Sequence, residues 1–101
     1  NQNSATLTAT LSQTMSRHMP IVPLVVPDNG EVLPDTRRSD HTAFWEQGIP
    51  AVMVTDTANF RNPHYHRSTD TVDTLNLTFL AAVADAVTNA VLTLAAAQER
   101  P

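Results

Sequence analysis

A chain of 101 residues, 42% apolar and 16% charged, makes a single domain with a modest core and is too apolar for an intrinsically disordered one. Its net charge of −4 speaks against a nucleic-acid partner, which needs a basic stripe. Cysteine is absent, which excludes disulfides and thiolate zinc sites and leaves His, Asp and Glu as the only side chains able to hold such a metal.

In chain order, residues 4–18 put Leu7, Leu11, Met15 and His18 on one stripe of a predicted helix, with Asn3 or Ser4 as its cap. "IVPLVV" (21–26) has the composition of a short strand, although Pro23 cannot donate to a ladder. "PDNGEVLPDTRR" (27–38) is turn chemistry. A short helix carrying Phe44 and Trp45 follows, with Ser39 or Asp40 as cap and Gly48 as stop. "IPAVMVTD" (49–56) has the pattern of a second strand buried on both faces. After a polar loop over 57–76, residues 77–97 form a long helix with Leu80, Val83, Val87, Val91 and Leu94 on one side. The Ala and Thr on its other faces predict a well-covered helix.

The order helix, strand, short helix, strand, helix predicts an α/β layer with a mostly parallel sheet. Two strands make a poor sheet, since about three or more are needed, so 1–101 is expected to be a single partial domain. It reads as the last portion of a larger doubly wound one. No apolar run approaches the ~18 residues of a membrane span and no export signal is evident, so no membrane partner is expected.

Chemistry-bearing side chains gather in the loops that follow the predicted strands, where open α/β sheets build their sites. Asp40 and His41 lie in or just after one such loop, Tyr65 and His66 in the other. His64 and His66 are one residue apart, and on an extended segment both would face one side and could clamp a metal, but ordinary loop histidines fit the spacing equally. Asp70 and Asp73 can accept a ring N–H from a ligand histidine or serve as turn and helix-start residues. Ser39, Asp40 and His41 are not a nucleophile triad, because side chains of adjacent residues diverge and no nucleophile-elbow glycines are present. Asn76 opens a formal glycosylation sequon, which matters only in a eukaryotic secretory setting.

Taken together, "RSDHTAFWEQGIPAVMVTDTANFRNPHYHRSTDTVDTL" (38–75) resembles the carboxyl-terminal part of the di-zinc aminopeptidases, a clan that includes glutaminyl cyclases and glutamate carboxypeptidases. The likeness rests on "SDH", "GIPA", the "YH" pair and "DT…L" in order, followed by a closing helix.

The resemblance implies that His66 is a zinc ligand and that Tyr65 hydrogen-bonds the substrate carbonyl as negative charge develops on it. It gives Asp40 a role in supporting substrate or ligands, with Arg38 reaching the substrate and Asp70 nearby; His64 has no family role. In the family two zinc ions about 3.5–4 Å apart activate a bridging water. The remaining ligands and the base glutamate have no counterpart in residues 1–37, so this chain alone is expected to bind zinc weakly or not at all, and not to hydrolyse peptides. The resemblance further implies a peptide or amino-acid-derivative substrate for the complete enzyme and a secreted or periplasmic setting. The rival expectation is a non-catalytic binding or assembly module, with self-association or pairing to the rest of the domain. A lesser rival is an independent metal binder using His64, His66 and nearby acids.

Overall fold

The computed structural model describes residues 1–98, and its regular elements are all helical. They are α1 (Ala5–Met15), α2 (His41–Glu46) and α3 (Leu77–Gln98), joined by long connections that contain short 3-10 turns.

The expected parallel sheet is not formed: among the described residues no strand is present. Residues 21–26 and 50–55 run without regular structure and make no backbone–backbone hydrogen bonds. The physical reason is pairing. A strand satisfies its N–H and C=O groups only through a neighbour, whereas a helix satisfies them within itself. Pro23 and Pro50 each remove a donor as well. The β-type composition was legible; a partner for it is not among these residues.

The helices match their local signals more closely. α1 ends at Met15, three residues short of the expected His18. Thr8, Thr10 and Thr14 bend their hydroxyls back to carbonyls four residues earlier, at 2.9–3.1 Å, which satisfies those side chains without a tertiary partner. At the amino end Asn1 accepts from both the N–H and the hydroxyl of Ser4, at 3.1 and 2.6 Å. α2 stops where glycine allows it. Gly48 sits at φ +70°, its N–H donates to Trp45 O at 3.0 Å, and Ile49 N–H donates to Phe44 O at 2.9 Å. That pair of bonds is the Schellman arrangement, which needs a left-handed residue after the helix. α3 begins with Asn76 as cap, its Oδ1 accepting from Phe79 N–H at 3.0 Å.

Met15 of α1 inserts against Ala86 and Ala90 of α3, and Leu11, Met19, Ile21 and Val87 close around them. Small residues on α3 let the two helices approach and give the large Met15 side chain a hole to fill. The buried line of α3 therefore runs through Ala86 and Ala90, while Leu80 and Val91 of the predicted apolar side are about half exposed. The expectation of a well-covered helix fails. Only 11% of its most apolar window is buried, and the radius of gyration is 15.1 Å against about 13 Å for a compact chain of this length. Leu77–Ala97, with mean hydropathy 1.7, is also long and apolar enough to cross a membrane by length and composition. This corrects the reading that no segment approaches that limit, because scattered Thr, Asn and a single Asp interrupt the run without much lowering its mean.

A second packed cluster holds α2. Trp45 is buried and its indole N–H donates to Ala51 O at 2.8 Å, while Ala51 N–H donates to the buried Ser4 hydroxyl at 3.0 Å. Arg37 ties the preceding loop to the same helix, donating to Asn29 O and to Glu46 Oε1, each at 2.6 Å.

Candidate functional site

The segment around Tyr65 is a turn rather than an extended strand, and one backbone angle shapes it. His66 has φ +54°, in the left-handed region that histidine tolerates better than most residues. Side chains of neighbouring residues alternate in an extended chain. Here the left-handed step brings them together, and the Tyr65 and His66 rings stack with centroids 4.0 Å apart and planes 13° from parallel.

Arg38, twenty-seven positions earlier, meets this pair. Its guanidinium carbon lies over the Tyr65 ring, 5.6 Å from the centroid, within cation–π range. The interaction with the Tyr65 side chain holds Arg38 above its ordinary value, and Asp35 contributes in the same direction. The contact with Asp35 is long, at 3.4 Å, between two half-exposed side chains, and is therefore weak. Arg38, Tyr65 and His66 share one wall of a broad open groove that runs on to Met15 and Leu80.

The other expected residues stand apart from that group. Asp40 occupies the cap position of α2 without a side-chain capping bond. Its backbone is α-helical (φ −65°, ψ −25°), whereas a capping side chain turns back onto the helix from an extended backbone. Asp70 is exposed, and its backbone N–H donates to Arg67 O at 3.0 Å; neither Asp40 nor Asp70 lines the groove. His64 has its Nδ1 3.0 Å from Thr69 Oγ1, and unlike His66 it does not line the groove. Asp73 is held below the usual carboxylate value, first by the Thr71 hydroxyl and then by its own backbone N–H; desolvation opposes this, and His64 adds a small attraction.

One residue that sequence reasoning left unassigned is conspicuous here. His41 is only 6% exposed and its ring meets Trp45 edge-on, with centroids 4.6 Å apart. Its Nε2 lies 2.6 Å from Thr36 O, and a carbonyl only accepts, so Nε2 carries the proton and Nδ1 is left as a buried acceptor without a partner among the described residues. The spacing of His41 and Trp45, one helical turn apart, was the available signal.

Residues 1–91 match the model of peptidase family M28. The chain belongs to peptidase family M28. M28 enzymes are zinc-dependent in general, and the chain is a zinc peptidase-like segment at that level. It is also 47% identical, over 55 residues, to the uncharacterized protein YfbL of Escherichia coli (strain K12); the match covers 54% of this chain and 17% of that relative. The chain thus spans less than a fifth of the relative's length. No solved structure matches it.

The donors present do not make an M28 metal centre by themselves. Among the described residues no group of three His, Cys, Asp or Glu side chains converges, and a zinc site needs three or four such donors. His66 brings one imidazole.

Proposed function

We propose that this chain is the part of a zinc-dependent aminopeptidase-like hydrolase that contributes His66 as one zinc ligand and Tyr65 as the donor to the reacting carbonyl. The observation that carries this reading is the Tyr65–His66 stack beside Arg38 on the groove wall. A ligand imidazole and a phenol fixed face to face keep a constant separation. The Tyr65 O–H then donates to a substrate oxygen as its negative charge grows, which favours the transition state over the ground state. Arg38 nearby keeps positive potential at the same place.

Asp40 and Asp70 support substrate or ligands only in a complete site. The substrate is a peptide or amino-acid derivative, and a secreted or periplasmic location goes with this reading. On its own the chain is inactive, because one imidazole does not hold the metal. The test is an assay of the zinc-supplemented chain against aminoacyl anilides. No turnover is expected; turnover lost in Tyr65→Phe would contradict the reading of inactivity.

A second reading draws support from the surface. Val22, Val32, Phe60 and Val72 are each at least 70% exposed, and so much bare apolar area suits a binding or assembly module that pairs with itself or with the rest of its domain. Sedimentation separates the two: a discrete dimer of the chain favours the module, and a monomer favours the enzyme segment.

A further inference from the structure

We propose that His41 is a positioning residue for Tyr65, acting through the turn that carries Arg38. The inference deepens the proposed function and rests on its assignment of the Tyr65 hydroxyl to the reacting carbonyl.

His41 stands where an apolar residue would cost less. It is buried with its ring edge-on to Trp45, and its Nδ1 has no partner among the described residues. A phenylalanine would pack the same face against Trp45 without leaving a buried acceptor unpaired, and unpaired buried polar groups are rare. What histidine adds is one donor, the Nε2–H held 2.6 Å from Thr36 O. That bond reaches back five residues, out of α2 and onto the 3-10 turn Pro34–Arg37. Thr42, next along α2, does the same with its hydroxyl, which donates to Arg37 O at 2.8 Å. The two carbonyls immediately before Arg38 are therefore tied to the start of α2. The helix is itself fixed by the Trp45 indole N–H on Ala51 O at 2.8 Å.

Arg38 passes this anchoring on to the site. Its guanidinium lies over the Tyr65 ring, 5.6 Å from the centroid, and its interaction with that side chain includes a hydrogen bond. Arginine has donors and no acceptor, so in that bond the phenol oxygen accepts and keeps its own hydrogen for a substrate oxygen. Donation to the phenol oxygen polarises its O–H and strengthens the bond that the hydroxyl gives. Tyr65 is thus held by His66, stacked at 4.0 Å, and by Arg38. A long, half-exposed side chain keeps one geometry only at a cost in rotamer freedom, so fixing its backbone removes part of the disorder that would loosen the phenol. His41 supplies that fixation from the buried side of the turn.

The test follows the full chain by NMR. Protons over the face of an aromatic ring resonate upfield, so the Arg38 side-chain protons report their place over Tyr65, with Tyr65→Leu as the unshifted reference. His41→Phe is expected to move them to that reference while the Trp45 indole N–H signal stays at its native position, a separation that a merely structural role of His41 would not produce. His41→Gln returns a side-chain N–H toward Thr36 O and keeps part of the upfield shift, whereas Thr42→Val loses part of it. On the native chain, the His41 ring-nitrogen shifts are expected to show the proton on Nε2, a result that depends on no variant. A proton on Nδ1 in its place, or Arg38 signals unchanged in His41→Phe, would overturn the inference. Where His41→Phe loses the Trp45 signal as well, Thr42→Val decides, and unchanged Arg38 signals there overturn it equally. None of these signals depends on zinc or turnover, so failure of the Tyr65 assignment to the carbonyl is distinguishable from failure of this inference.

Discussion

Tyr65 and His66 stack at 4.0 Å because His66 adopts φ +54°, a conformation that reverses the usual divergence of neighbouring side chains. The left-handed backbone costs a residue with a Cβ roughly 1–2 kcal/mol, and the aromatic pair returns about 0.5–1.5 kcal/mol of it. The candidate site is thus built on a local conformation that the fold supports only narrowly.

His66→Gly relieves the strain and loses the stack, so its stability is expected within about 1 kcal/mol of the native chain. His66→Val keeps the strain, worsens it by β-branching and loses the stack, and is expected to cost about 2 kcal/mol. Thermal melts followed by circular dichroism check the order. A His66→Val chain as stable as His66→Gly would refute the account of the turn.

The two glycines give a sharper comparison. Both have positive φ, +81° at Gly30 and +70° at Gly48, but a Cβ at Gly48 meets nothing within 4 Å, while at Gly30 it falls 2.6 Å from Thr36 Oγ1. Gly48→Ala is expected to cost about 1 kcal/mol, from backbone strain alone. Gly30→Ala adds an overpacking cost of about 1–3 kcal/mol. Denaturant midpoints should therefore fall further for Gly30→Ala.

These cases mark how far the sequence was legible. Gly48 as a helix stop, the start of α3 after Asn76 and the Leu11–Met15 stripe are written in near neighbours, and the structure has them. The segments at 21–26 and 49–56 carry equally clear β composition, yet a strand depends on a partner that composition does not name. Arg38 and Tyr65 were singled out one by one as site residues. Their contact, across twenty-seven positions, depends on how the loops return and had no local signal. The solvent exposure of α3 was misread for the same reason: periodicity shows which side is apolar, not whether anything covers it.

Met15, 2% exposed, is the largest of the buried side chains in the α1–α3 contact, the others being Ala86 and Ala90. Met15→Ala is expected to cost about 2–5 kcal/mol, much of the stability of a chain this size. Loss of a cooperative melt in Met15→Ala, with Leu92→Ala (62% exposed) nearly unchanged, is the predicted pattern.

At low pH, Asp73 provides a signed prediction. Its carboxyl is held below its ordinary value of 3.8, chiefly by the Thr71 hydroxyl. A depressed carboxylate stabilises the fold above its unfolded pKa, and that contribution is lost as pH falls from 3.8 through the lower folded value. Thr71→Val should move the Asp73 titration back up toward 3.8, as read by carboxyl carbon shifts. No movement would mean that the hydroxyl is not the cause.

The central claim, that His66 is a single ligand belonging to a larger zinc site, is tested most directly by calorimetric titration of zinc into the full chain, with His66→Ala as control. Weak or absent binding in both is the predicted result. Tight one-to-one binding that disappears in His66→Ala would contradict it, and would mean that these residues form a metal site of their own.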